Sequence, residues 1–425
     1  MAALAATIRA LNLKIPVFWG DILLLHEINR NPVFIAPGYK NQAPAGKSYA
    51  NPQRYSAIAI MFIRKIDGYS STICRTGNSV KCSLITGPVF EYHNRPGHIE
   101  CYDRLRAITA QLPNGIPVHE PVAAKEEDLQ RVHMPGYLAW LHRQCAIHSA
   151  YDTIDEYGCS GGYFTGNTYV AGFLDANTYI NPRSYEVATY AAGSAIAAAK
   201  RAMDGESCFA LVRPPGHHAA SGWAMGFCII NNTAIAAANA LQSVDRVAII
   251  DWDVHHGNGT QEIFYDTDRV LYCSVHADDF FPHSGAENEI GTGTGTGYTV
   301  NAPLIHGSTI GDYVHVFSEL FLPLIKRARP DLILVSAGQD ALSDDPVSGM
   351  GLVPADYGTL TGMVIDALDL PPAFVLEGGY GPSQPAAINA ILGAVGGRRD
   401  KEPVPEPTPA TRARVQVFRK LHVLQ

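Results

Sequence analysis

From about residue 80 to about residue 397, short apolar runs alternate with longer alanine-rich stretches. Phe209–Val212, Val247–Ile250, Val270–Ser274, Leu332–Val335 and Phe374–Leu376 are almost wholly apolar. Runs without polar alternation predict strands covered on both faces, as in the middle of a parallel sheet. Tyr185–Met203, Asn232–Gln242, Ile310–Ala328 and Ala355–Leu368 carry the longer apolar faces that predict helices between those strands. Such alternation predicts one α/β sheet. Two segments stand outside the pattern. Residues 1–79 hold scattered prolines and show no clear period. Residues 398–409, RRDKEPVPEPTP, read as a charged, proline-rich linker. The basic, partly amphipathic tail behind it is expected to be a terminal helix docked on the domain.

Composition narrows the class. Of 425 residues, 47% are hydrophobic and 17% charged, which supplies a large core and excludes global disorder. Lys+Arg is 32 against Asp+Glu at 40, a net charge of −8. That balance gives no global electrostatic signal for nucleic acid or an anionic membrane. The eight cysteines form no CxxC pair and several lie in apolar runs. They read as thiols of a reducing cytoplasm, not as disulfides or a thiolate zinc site. Asp21 and Glu27 interrupt the only N-terminal apolar stretch, so no signal peptide is expected. The long uncharged stretch from Ala219 to Val244 contains Asn231 and Asn232 and reads as a buried loop plus helix rather than a membrane span.

Polar residues follow the carboxyl ends of four apolar runs: Arg213-Pro-Pro-Gly-His217-His218, Asp251-Trp-Asp253-Val-His255-His256-Gly-Asn258, Ser336-Ala-Gly-Gln-Asp340 and Glu377-Gly378-Gly379-Tyr380. Ligand sites of open parallel sheets lie at those ends, so the four clusters are expected to converge on one pocket. In extended chain Asp251, Asp253 and His255 point to the same side. Two carboxylates so placed repel unless a cation sits between them. Asp340, from a neighbouring strand end, completes an Asp/His/Asp set. Three protein ligands and one open position is the arrangement of a catalytic zinc. The plainer alternative is a turn after a buried strand, with aspartates capping helices.

His217 and His218 suit a general base and an electrostatic partner, against the alternative of two loop histidines with structural hydrogen bonds. Tyr380, behind two glycines, could donate to a developing oxyanion or be a partly buried surface tyrosine. Phe227, after Gly226, and Phe281 could wall an apolar slot, although core packing is the ordinary fate of a phenylalanine. Gly291–Gly297, GTGTGTG, lacks the context of a phosphate-binding loop and is expected to be a flexible surface loop.

Taken together, the strings RPPGHHA, GFCIINN, DWDVHHGNGTQEIFY, SVHADDFFPHSG, GTGTGTGYTVNAPL, SAGQDALSDDP and LEGGYG resemble the histone deacetylase / acetylpolyamine amidohydrolase superfamily. RPPGHH with HHGNGTQ is similar to its class II and bacterial or archaeal members. The resemblance covers about residues 82–397 and begins with CSLITGPVFEYH and GHIECYDRLRAI, which resembles the family's His-Pro-Glu…Arg-Leu opening. It implies an arginase/deacetylase-like α/β fold, a single catalytic domain over residues 80–397 with a central, mainly parallel eight-stranded sheet flanked by helices. It implies zinc, with iron(II) as the alternative, held by Asp253, His255 and Asp340. It implies hydrolysis of an N-acyl group, usually acetyl, from a lysine or another primary amine. In that pattern His218 is the general base and acid beside His217, and Asp251 and Asn258 are their hydrogen-bonding partners. Tyr380 polarises the amide carbonyl. Phe227 and Phe281, with Gly226, line the acyl-lysine tunnel. A structural potassium ion is implied at the carbonyls of Asp251, Asp253, His255 and Val275 with the Ser274 hydroxyl. A second would use carbonyls near Phe264, Thr267, Val270 and Tyr298.

The chain departs from the family pattern at three places. Ile99 stands where proline often follows the histidine, and Gln339 where an aromatic often precedes the aspartate. Val347 stands where the eukaryotic polyamine deacetylase has a gatekeeping glutamate, which weakens a polyamine-specific reading of that type. Acetylpolyamine hydrolysis, a non-catalytic acyl-lysine binding module and a two-manganese arginase-like hydrolase are the competing readings. Retention of the ligands, both histidines and Tyr380 disfavours the binding module. Asn258 and a single completing aspartate disfavour the arginase type. The expected partner is an acylated lysine or acetylated small amine, with no direct nucleic acid or membrane contact and with oligomerisation left open. Residues 1–79 are expected to lie outside the catalytic domain, either as an accessory extension or as sequence ahead of a true start near Val80; the plainer alternative is a real N-terminal subdomain, to which Ile22–Leu25 and Ile58–Ile63 could supply core residues. Residues 398–425 form the linker and tail.

Overall fold

The computed structural model describes residues 82–147, 177–399 and 403–422, together with the backbone of a few short strands outside them. The chain divides into two compact units, Met1–Thr76 and Gly77–Gln425. The first holds a three-stranded antiparallel sheet of Val17–Trp19, Ile22–Leu25 and Val33–Phe34. The rest of the expected extension, residues 1–79, lies outside the described residues.

The second unit is built on eight strands: β1 (Cys82–Ile85), β2 (Val118–His119), β3 (Ser207–Ala210), β4 (Val247–Asp251), β5 (Val270–Ala277), β6 (Thr299–Leu304), β7 (Leu332–Ala337) and β8 (Ala373–Leu376). They form one sheet in the order β6-β5-β4-β7-β8-β3-β1-β2, and every neighbouring pair is parallel. Every residue of β3 through β8 is buried, as the unalternating apolar runs require. Several expected boundaries shift: β3 covers Ser207–Ala210 rather than Phe209–Val212, β4 runs on to Asp251, β5 to Ala277 and β7 to Ala337, and β8 starts at Ala373.

The principal helices are α1 (Asp103–Thr109), α2 (Pro135–Ile147), α3 (Ser184–Met203), α4 (Asn232–Ala240), α5 (Asn258–Phe264), α6 (Ile310–Val316), α7 (Leu322–Ala328), α8 (Pro354–Leu368), α9 (Gln384–Val395) and α10 (Pro409–Leu421). α3 and α4 pack on each other; α3 lies against β3, β7 and β8, and α4 against β7. The buried face of α3 includes Ala188, Ala191, Ala192, Ala195, Ala198, Ala199 and Ala202. Small side chains there bring the helix close to the sheet and keep propensity high. α8 and α9 form a second packed pair. The expected helix Ile310–Ala328 is continuous but widens into a π-type turn at Phe317–Phe321, where the Leu322 amide reaches back to the Phe317 carbonyl. Pro323 follows at once and has no amide to continue a regular ladder.

The tail helix is present as α10, with Thr411, Val415 and Phe418 buried. GTGTGTG lies at the surface as expected, with Thr292, Gly293, Thr294 and Thr296 exposed, but part of it is packed. Gly295 is buried, and Gly291 and Gly295 both lie against the Tyr265 carbonyl, which makes the segment a packed turn. The fully buried Ala195 face generates a direct test. Ala195→Leu should lower unfolding free energy by about 1–3 kcal/mol through overpacking between helix and sheet, read as a lower urea midpoint.

Candidate active site and metal centre

β3, β8, β7 and β4 are neighbours in the sheet, and their carboxyl ends deliver the four polar clusters to one place. Asp251 ends β4, opposite Ser274 of β5 and Ser336 of β7. Asp253 and His255 follow it, and Asp340 comes three residues after β7. One ligand atom from each of Asp253, His255 and Asp340 lies within 4.8 Å of the others. His255 Nδ1 is 3.0 Å from Asp253 Oδ1 and 3.0 Å from Asp340 Oδ2. The outer oxygens are tied to backbone: Val254 N donates to Asp340 Oδ1 (2.8 Å) and Gly378 N to Asp253 Oδ2 (2.9 Å). A side chain at Gly378 would collide with both carboxylates, so the glycine is what lets the two aspartates approach.

This donor set fits a divalent cation. Both carboxylates are fully buried. Burial and the Asp253 charge push Asp340 up to about 7. For His255, burial is outweighed by hydrogen bonds and charge from the two aspartates, which raise it to about 10. Both shifts have one cause: two facing buried carboxylates draw positive charge to the space between them. A borderline metal taking one nitrogen and two oxygens satisfies the same need with neutral imidazole.

The two adjacent histidines are set apart by their partners. His217 Nδ1 lies 3.1 Å from Asp251 Oδ2, and its Nε2 is 3.7 Å from Asp253 Oδ1. Burial disfavours its charge, but Asp253 and Asp251 overcome that and hold it well above the usual histidine range. His218 Nδ1 lies 2.8 Å from Asn258 Oδ1. An amide oxygen only accepts, so it fixes the proton on Nδ1 and leaves Nε2 bare. Burial, then the charges of His217 and His255, keep His218 well below its usual value.

Phe281 meets the His218 ring edge-on at 5.2 Å between centroids, and Phe227 meets Tyr380 edge-on at 5.8 Å. Gly226 (φ +55) lies against the His218 ring where a side chain would collide with it, and Phe227 is itself left-handed (φ +66). The Phe227 amide is held by Thr178 Oγ1 at 3.0 Å. Burial raises the Tyr380 hydroxyl well above its ordinary value despite nearby Arg104, so it remains a donor. Of the residues expected around potassium, Ser274 Oγ lies 2.9 Å from His276 Nδ1, and Val275 continues β5.

A family model described as the histone deacetylase domain matches residues 98–394. The chain is 38% identical over 349 residues to Histone deacetylase 15 of Arabidopsis thaliana, covering 77% of this chain and 59% of that protein. It is 42% identical over 299 residues to a histone deacetylase-like amidohydrolase of Pseudomonas aeruginosa, covering 67% and 73%. A probable deacetylase of Archaeoglobus fulgidus is 35% identical over 316 residues, covering 70% and 82%. The crystal structure of the HDA15 HD domain superposes with a TM-score of 0.70 at 32% identity, covering 81% of this chain and 96% of that one. The chain belongs to the histone deacetylase family.

In this deacetylase-family chain, sequence reading assigned no role to the groups that hold the site from behind, although Glu100 and Arg104 stand in the family-like opening GHIECYDRLRAI. Tyr272 OH donates to Asp251 Oδ2 at 2.9 Å. Glu377, expected only as part of a strand-end cluster, accepts from the amides of Gly216 (2.6 Å) and His217 (3.1 Å) and from the Thr233 and Ser336 hydroxyls. It shapes the His217 loop. His217, Cys228 and Glu377 also lie close together. In that trio Glu377 is already engaged by four donors and His217 Nδ1 faces Asp251. Arg104 donates to the carbonyls of Gly379 (2.7 Å) and Glu377 (2.6 Å), with its guanidinium 4.5 Å from the Tyr380 ring centroid. Glu100 binds Arg104 (3.2 Å) and Arg213 (2.9 Å to its Nε) in a fully buried cluster.

Burial alone would raise the Glu100 pKa, but Arg213 and Arg104 bring it down to about 2. A carboxylate lowered by folding stabilises the fold above its ordinary value near 4.5, and that contribution is lost as pH falls from there toward about 2. Glu100→Gln should cost about 3–5 kcal/mol at neutral pH by leaving Arg213 buried and unpaired. Denaturation from pH 7 to pH 2 should show the acid-limb slope of the wild type diminished in the variant.

Proposed function

We propose that this chain is a zinc-dependent deacylase that hydrolyses the N-acyl, chiefly N-acetyl, amide of a lysine side chain or another primary amine. The products are a carboxylate and a free amine. The observation that carries this reading is the meeting of Asp253, His255 and Asp340 beside two histidines of opposite electrostatic bias. Zinc, or iron(II) in its place, bound by those three residues would supply Lewis acidity toward the amide carbonyl and water.

The other roles belong to the chain. His218 Nε2 takes the proton of the attacking water and later delivers it to the leaving nitrogen. His217, kept cationic by Asp251 and Asp253, sets positive charge beside the negative charge that develops. Tyr380 donates a hydrogen bond from its hydroxyl to the carbonyl oxygen as that oxygen gains charge, and keeps its proton. Phe227 and Phe281 flank the methylene chain of the substrate and exclude water. A structural potassium ion at Asp251, Asp253, His255, Ser274 and Val275 is part of the same reading, supported by the position of Ser274 directly across from Asp251. Val347, apolar where the eukaryotic polyamine deacetylase has a glutamate, disfavours a polyamine-specific site of that type and leaves acetylpolyamine hydrolysis of other types open. A cytoplasmic setting fits the six described cysteines, which are free thiols. Among the described residues no helix is long and apolar enough to cross a membrane.

Metal analysis should find about one divalent ion per chain, and Asp340→Ala should lose that ion and all turnover together. Full occupancy in the variant would refute the ligand assignment. Tyr380→Phe and His218→Ala should keep the metal but lower kcat roughly a hundredfold or more. Assayed on acetyl-lysine peptides, longer acyl-lysines, acetylputrescine and acetylspermidine, the wild type should prefer an acyl-lysine. Preference for an acetylpolyamine would overturn the substrate class while leaving the chemistry.

A further inference from the structure

β5 ends at Ala277, whose amide donates to the Val254 carbonyl at 2.9 Å, and the Asp278 amide donates to the Leu304 carbonyl at 2.8 Å. Sheet-like anchoring therefore persists to the last residue before a tight turn, in which Asp279 and His283 both have positive φ (49 and 61). Phe280 stacks on the His255 ring at 5.2 Å and 18°, and Phe281 meets His218 edge-on. All that this loop presents to the site thus lies within three residues of Asp278. Its far end is tied separately. His276 Nε2 lies 3.0 Å from the Gly285 carbonyl, and His256 Nδ1 lies 2.8 Å from Ser284 Oγ.

The near end is tied from the C-terminal helix. Arg414 Nη2 donates to Asp278 Oδ2 at 2.5 Å, and Nη1 to the Pro303 carbonyl at 3.0 Å. One guanidinium bridges the ends of β5 and β6 at the root of the loop. α10 is itself firmly seated. Thr411, Val415 and Phe418 are buried, and the Thr408 amide just ahead of it donates to Asp312 Oδ1 at 2.8 Å.

We propose that α10 is a positioning element for the substrate slot, with Arg414 fixing the root of the Asp278–Gly285 loop and so the placement of Phe280 and Phe281. The role of Phe281 as a slot wall rests on the deacylase reading; the mechanical coupling does not. Arg414 and Asp278 are 34% and 39% exposed, so their pair contributes little to global stability. Its effect is local because it acts at the hinge between a buried strand and a short loop.

The test uses the full chain with Arg414→Ala, and with the exchanged pair Arg414→Asp/Asp278→Arg. Hydrogen exchange of the amides in 279–285 should quicken about threefold to tenfold in Arg414→Ala, while β5 and α10 keep wild-type protection. KM for an acetyl-lysine peptide should rise about threefold to tenfold with kcat within about twofold. The exchanged pair should recover much of both. Unchanged exchange in the loop overturns the proposal. So does a joint fall of kcat and thermal midpoint that the exchanged pair fails to restore, since that marks a merely structural contact. If the wild type turns over no acyl-lysine at all, the functional reading fails, and the exchange measurement still decides the coupling.

Discussion

Two aspartate carboxylates facing each other in a solvent-free interior set the terms for the surrounding structure. Asp253 and Asp340 can be held there only if backbone amides satisfy their outer oxygens and a positive charge satisfies their inner ones. The sheet supplies the first condition, because the ends of β4 and β8, on either side of β7, bring the Val254 and Gly378 amides to bear. His255 Nδ1, 3.0 Å from both carboxylates, lies where the second must be met, and a divalent cation would meet it in the proposed reading. Gly378 gives up its side chain so that the carboxylates can meet. The Gly378-Gly379-Tyr380 turn is then pinned from behind by Arg104. The position of the phenol follows from where two negative charges had to go.

The same economy separates the histidines. They are neighbours in sequence, with ring centroids 4.1 Å apart, yet one faces carboxylates and the other an amide. A charged partner for both would make both cationic and leave no base. An amide for both would leave no fixed positive charge. In the proposed mechanism the single difference between Asp251 and Asn258 would allot the two functions.

The interior strands were legible because a strand buried on both faces has no alternation to misread. β6 escaped notice because Asn301 and Pro303 interrupt its apolar pattern, and β2 is only two residues long. The site-forming clusters were legible because their residues are local in sequence and sit at strand ends. The Glu100–Arg213 pair was not, since its members are 113 residues apart and no periodicity links them. Tyr272 was hidden for another reason: it lies inside an apolar strand, where a tyrosine reads as packing. Glu377 was visible as a strand-end residue, but only the structure shows its oxygens turned toward amides rather than toward the pocket.

An open parallel sheet leaves two flanks where a foreign strand could add and start a polymer. Here both are blunted. β2 is too short to template much of a ladder. β6 carries Pro303, which has no amide to offer, and the carbonyl of that residue is already taken by Arg414. The terminal helix therefore also covers part of the β6 edge of the sheet. Loss of the helix would expose the chain to strand-by-strand self-association, a fate unrelated to catalysis and governed by concentration.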